Sequence, residues 1–187
     1  MNALELLASL LTLLFVIGTA KQTIWAWPAG ILGSALAALS YVHVSLYAEG
    51  TLQILYVLLG VYGWYQWRRK TKPSPSKIIA WPLYKIWIAL GLLLSFGALV
   101  FWILKVYTDG ALPFWDGLLF SGGLMATYME AKRVWQAWLF WIPLNALGSF
   151  TAYTQGLQYM LVLYCILTGL SVYGMLTWKR ELDAAKG

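Results

Sequence analysis

Trp138, Trp141 and Asn145 are spaced by three and four residues, so on a helix all three project from one face. Two indoles beside an amide can stack on a flat ring and fix its edge by hydrogen bonds. That is chemistry of recognition. Trp138 lies one turn inside a basic segment and fits a boundary anchor as well as a cavity wall. Trp141 and Asn145 lie deeper in an apolar run and are expected to line a cavity. An uncompensated polar group is costly in hydrocarbon, so the few others inside apolar runs are informative. They are Gln53, Asp116 and Glu5. No Ser/His/Asp set, no Gly–Lys phosphate loop and no metal-ligand cluster is present, so no enzyme activity, metal or cofactor is expected. The single histidine, His43, has no Cys, His or carboxylate at ligand spacing.

The elements that must position these residues follow from composition. Of 187 residues, 61% are hydrophobic and 11% charged, too few charges to cover a water-facing surface. Runs long enough to cross a bilayer recur at 3–20, 24–46, 51–67, 81–104, 112–129, 134–153 and 157–178. An all-α integral membrane protein of seven transmembrane helices is therefore expected, its first span retained because no cleavage site follows it. The one cysteine, Cys165, cannot form an internal disulfide and is expected as a packed thiol. Arg68 to Lys77, with Pro73 and Pro75, reads as a linker. Trp67 beside Arg68 reads mainly as an aromatic belt, and Gly63 and Gly174 as points of close helix contact.

Charge placement gives an orientation. The formal net charge is +6, and twelve of the thirteen basic residues fall in loops on one side of such a seven-span chain, Lys105 alone on the other. Basic short loops stay in the cytoplasm, so the N-terminus is expected outside and the C-terminus inside. The charge is then a topology signal, and no nucleic-acid partner is expected. Membrane lipid is the expected surrounding.

The chain also matches itself at an offset of 111 residues without a gap. Ala20-Lys21 falls on Ala131-Lys132, Trp27 on Trp138, Val61-Tyr62-Gly63 on Val172-Tyr173-Gly174, Trp67 on Trp178 and Glu5 on Asp116. The expected organisation is a first three-helix repeat (1–72), a linker and single helix (73–111) and a second repeat (112–187). One intervening helix makes the repeats parallel, a 3+1+3 arrangement with its substrate site between the units near mid-membrane.

Tyr62-Gly63-Trp64-Tyr65-Gln66-Trp67, Pro113-Phe114-Trp115-Asp116 and Trp138 through Asn145, together with Leu46-Tyr47, resemble the PnuC family of bacterial vitamin transporters. The resemblance covers nearly the full length. It implies a SWEET-like duplicated fold in the bacterial inner membrane, often trimeric. It also implies import of nicotinamide riboside by facilitated diffusion, with a cytoplasmic kinase trapping the product for NAD synthesis. Trapping is chemically sound, since a phosphate adds about −1.5 to −2 charge and no longer suits an uncharged aromatic cavity. Carried over residue by residue, the substrate site comprises Trp138, Trp141, Asn145 and Gln53, then Trp115, Asp116 and Tyr164, the repeat mate of Gln53. Thiamine is also flat and cationic, so stacking on indoles accommodates it equally. A proton-coupled carrier using Asp116 or Glu5, or a non-transporting scaffold whose tryptophans merely anchor helices, are the other classes.

Overall fold

The computed structural model describes residues 3–43, 47–69, 78–108 and 112–185. Leu46, most of the Arg68–Lys77 linker, and the side chains of His43 and Tyr47 lie outside that description.

Seven helices account for the described chain: α1 Ala3–Ala20, α2 Ala26–His43, α3 Tyr47–Arg68, α4 Leu83–Tyr107, α5 Pro113–Ala131, α6 Ala137–Thr154 and α7 Gln158–Ala184. The shortest have 18 residues, about 27 Å at roughly 1.5 Å per residue, close to the hydrocarbon thickness. α7 runs past its apolar stretch into polar turns where Lys179 and Asp183, four apart, pair at 2.9 Å. Pro113 opens α5, where its missing N–H costs nothing. Large apolar side chains cover the outside of the bundle, including Leu14, Leu32, Leu58, Leu92, Phe150 and Val162. A water-soluble monomer rarely exposes so much contiguous apolar surface. Cys165 belongs to that outside: the thiol expected to be packed is exposed, its Sγ 3.7 Å from Ser149 Oγ. Its apolar neighbours face lipid rather than a protein core, which composition alone does not distinguish.

The two triplets meet in a symmetric way. α3 packs on α5 and α1 on α7, two contacts that the 111-residue offset interchanges. Hydrogen bonds repeat the relation. Trp67 Nε1 donates to Ala131 O (3.1 Å), and Trp178 Nε1 donates to Ala20 O (3.2 Å) and Thr19 O (3.1 Å). Each indole thus donates to carbonyls at the last turn of a helix in the other repeat, where the intrahelical ladder ends. Trp67 and Trp178 approach each other at 6.3 Å, so the pseudo-twofold axis passes between them. Trp27 meets Trp67 edge-on at 5.4 Å, and Trp138 meets Trp178 at 5.5 Å. Trp67 is therefore an axial core residue, only 6% exposed, and not the belt residue its position beside Arg68 suggested.

Glycine makes this packing attainable. A methyl at Gly63 would collide with the Trp27 ring, and one at Gly174 would lie 2.6 Å from the Trp138 ring. Helices in lipid associate through such close packing rather than through the hydrophobic effect. The turns after α1 and α5 match as well. Gln22 and Arg133, offset mates, both adopt left-handed backbone with φ 56° and 57°. Gln22 Nε2 donates to the Glu181 carboxylate. The Arg133 guanidinium lies over the Trp67 ring at 4.7 Å and donates to Trp67 O at 3.5 Å. Burial lowers the Arg133 pKa and the Glu181 charge opposes that shift.

α4 lies outside this symmetry and packs chiefly on α5. Its entry is stitched to the second repeat. Ile79 N–H donates to Arg133 O (2.9 Å), Trp135 N–H to Ile79 O (3.1 Å), and the Gln136 amide exchanges two bonds with the Trp81 backbone.

Candidate functional site

α6 places Trp138, Trp141 and Asn145 along one side, but their surroundings differ. Trp138 is 1% exposed and packed between Gly174 and Trp178, and its indole N–H has no hydrogen-bond partner. Trp141 is half-buried. Its ring lies between two packed groups, the axial tryptophans on one side and the α4–α5–α6 cluster around Phe140 and Leu144 on the other. Trp141 Nε1 donates to Glu130 Oε2 at 3.3 Å. One turn farther along α6, buried Asn145 donates from Nδ2 to Ser171 Oγ on α7 at 3.1 Å. Ser171 in turn donates to Leu167 O at 2.8 Å. Trp141 and Asn145 are thereby fixed one helical turn apart by partners on α5 and α7.

The remaining expected residues lie on α3, α5 and α7. Gln53 is half-buried on α3. The Tyr164 ring presses on the Gly148 backbone of α6, where a methyl would lie 2.7 Å from it. Trp115 stacks edge-on with Phe114 (5.0 Å) and Phe150 (6.3 Å), and Asp116 sits in the first turn of α5. Both are at the opposite end of α5 from Glu130, so they belong to the far mouth of the bundle. Asn145 and Tyr164 thus lie at the α6–α7 contact, Trp141 reaches Glu130 of α5, and Trp138 is committed to the axis.

Three residues near this surface were not expected. Glu130, at 1% exposure, ends α5. Ser171 holds Asn145. The Tyr56 hydroxyl crosses from α3 to touch Gly123 of α5, a contact only glycine admits. Ser171 could have been found as a polar residue on the same α7 face as Gly174 and Trp178, three and seven positions on. A cavity of about 630 Å³ lies elsewhere, lined by Trp81, Ile86, Leu90, Leu118, Phe140 and Leu144 between α4, α5 and α6. It is an apolar lateral groove and includes neither Trp141 nor Asn145.

Known proteins share both the sequence and the fold. The family model of the nicotinamide mononucleotide transporter matches residues 2–180. The Escherichia coli nicotinamide riboside transporter PnuC is 25% identical over 176 residues, covering 80% of this chain and 73% of that protein. The Streptomyces davaonensis riboflavin/roseoflavin transporter RibM is 26% identical over 165 residues, covering 84% and 76%. The crystal structure of the vitamin B3 transporter PnuC matches with a TM-score of 0.81 at 21% identity, covering 97% of this chain and 83% of that one. Its likeness is one of fold. With the family match over nearly all its length and seven helices in the same arrangement, this chain belongs to the nicotinamide mononucleotide transporter family, the PnuC family of multi-pass membrane transporters.

Proposed function

We propose that the chain carries nicotinamide riboside, or a vitamin with the same flat cationic ring, across the membrane by facilitated diffusion. The observation that carries this reading is the Trp141–Asn145 pair, an indole face one helical turn from a buried amide at the junction of the repeats. The indole attracts a cationic ring by roughly 1–2 kcal/mol when water is excluded. Asn145 supplies a carbonyl and an amide for a carboxamide or ribose hydroxyl. Trp138 buttresses Trp141 from the axis, and Gln53 and Tyr164 complete the walls from α3 and α7. Trp115 and Asp116 form the outer entrance.

The basic end of the bundle faces the cytoplasm, so the axial tryptophans close the inner side. Opening inward breaks the two reciprocal indole bonds together, a rocking of one repeat against the other. Phosphorylation of the product inside then makes import one-way without ion coupling. Trimeric assembly is part of this reading and rests on the family resemblance, whereas the orientation rests on the placement of the basic residues.

A second reading is a flavin carrier, favoured by the similarity to the riboflavin/roseoflavin transporter. Purified protein in liposomes separates the two. Labelled nicotinamide riboside is expected to equilibrate across the liposome membrane with no imposed ion gradient, and Trp141→Ala to abolish that flux. Flux of riboflavin with none of the riboside or thiamine overturns the substrate, and a dependence on a pH gradient overturns facilitated diffusion.

A further inference from the structure

Glu130 has no task in the transport cycle just described, yet few residues here are more deeply buried. Its position at 1% exposure would ordinarily demand a counter-ion, because an isolated buried carboxylate is strongly disfavoured. The neighbouring cations do not serve. Lys132 directs its ammonium over the rings of Tyr62 (5.1 Å) and Tyr128 (5.8 Å), and Arg133 its guanidinium over Trp67 (4.7 Å). Among the described residues the recorded ion pair is Lys179–Asp183, at the far end of α7. One carboxyl oxygen, Oε2, accepts the Trp141 indole N–H; the other, Oε1, is buried with no hydrogen-bond partner.

We infer that Glu130 is a specificity determinant, the group that selects a positively charged ring over a neutral one of the same shape. The inference rests on the function proposed above. A cationic ring stacked on Trp141 brings its charge beside the indole whose N–H is already held by Glu130 and supplies the counter-charge that lets the buried carboxyl release its proton to water, so that anion and cation meet beside one aromatic plane. The placement within the duplication agrees. The offset mate of Glu130 is Thr19, whose hydroxyl lies beside the carboxyl and donates to Val16 O at 3.1 Å. The acid thus occurs in the repeat that also holds Trp141 and Asn145, and its counterpart is neutral.

Three ligands test this by equilibrium binding to purified protein: nicotinamide riboside, its neutral dihydro form of nearly the same outline, and thiamine. Wild type is expected to bind the two cations at least tenfold more tightly than the dihydro form. Glu130→Gln keeps an acceptor for the Trp141 N–H but removes the charge. It is expected to weaken the cations at least tenfold while leaving the dihydro form within about twofold. Glu130→Asp is expected to retain the cation preference, which guards against a folding defect in the glutamine variant. Equal wild-type affinity for the cationic and dihydro forms overturns the inference. So does a glutamine variant that keeps the preference, or one that loses all three ligands alike. Wild type that binds neither riboside nor thiamine overturns the proposed function itself, and is distinguished from the other failures by needing no variant.

Discussion

The two repeats share a scaffold but not the residues of the proposed site. Where they grip each other the residues match: Ala20 with Ala131, Trp27 with Trp138, Gly63 with Gly174, Trp67 with Trp178. Where the proposed ring lies they differ. Thr19, Gly30, Ser34, Gly60 and Gln53 of the first repeat stand against Glu130, Trp141, Asn145, Ser171 and Tyr164 of the second. One exchange is a transposition of bulk. In the first repeat Phe15 of α1 fills the space at Gly30 of α2, where a methyl would lie 2.7 Å from its ring. In the second, α5 carries the small Ala126 and α6 carries the aromatic Trp141. The lesson is a division of labour. On the proposed reading, symmetry is retained where two like units rock about one axis and abandoned where an unsymmetrical ligand is held.

Substitutions in matched pairs can break or sharpen that comparison. Removing an axial ring has the largest expected effect: Trp27→Ala and Trp138→Ala should each destabilise by about 3–5 kcal/mol, from lost packing and an unfilled cavity. Thermal unfolding in detergent should show the two losses equal within about 1 kcal/mol, as paired sites in a repeat should. A loss confined to one of them would end the claim of a symmetric axis. Next, Trp141→Ala is expected to weaken riboside binding about 100-fold, near 2.7 kcal/mol by calorimetry, with a smaller loss of stability because Trp141 is only half-buried. The same truncation at Trp115 should cost under about threefold, since stacking on Phe114 and Phe150 sets it apart from the pair.

Smaller effects separate the polar groups. Asn145→Ala should lower affinity about tenfold and leave Ser171 with its bond to Leu167, whereas Ser34→Ala, at the mate position, should change affinity less than about twofold. The smallest expected effect is structural. Trp67→Phe and Trp178→Phe keep a ring but delete the cross-repeat hydrogen bond, at about 1 kcal/mol each in stability. Both should speed uptake if inward opening limits the cycle, and unequal changes in the two would show that one bond alone bears the closure.

Much of this was legible in the sequence. Seven apolar runs depend on local pattern and become seven helices because in lipid a helix must satisfy its own backbone, and α6 carries Trp141 and Asn145 four residues apart on one helix. The residues that escaped did so for specific reasons. Glu130 stands two positions before Lys132 and Arg133, so it reads as the rim of a basic loop, although α5 continues through it and buries it against Trp141. The repeat register held a clue, since Glu130 adjoins the matched Ala131-Lys132. Trp67 abuts two arginines and so resembles a boundary residue; only the approach of α5 from the other repeat, invisible to local pattern, makes it core. Ser171 resembles any helical serine bonded to its preceding turn, and its link to Asn145 depends on how α6 crosses α7. Trp138 could be placed at the α6 boundary but not at the axis, because that required knowing that Trp178 would stand against it.

The most direct test is a structure of this protein with nicotinamide riboside bound. The pyridine ring is expected over Trp141, with ring centroids about 4.5–7 Å apart, and a polar edge of the ligand within hydrogen-bond reach of Asn145. A ligand seated against Gly30 and Ser34 of the first repeat, or found with Trp141 turned toward the acyl chains, would contradict the assignment of binding to the unmatched residues.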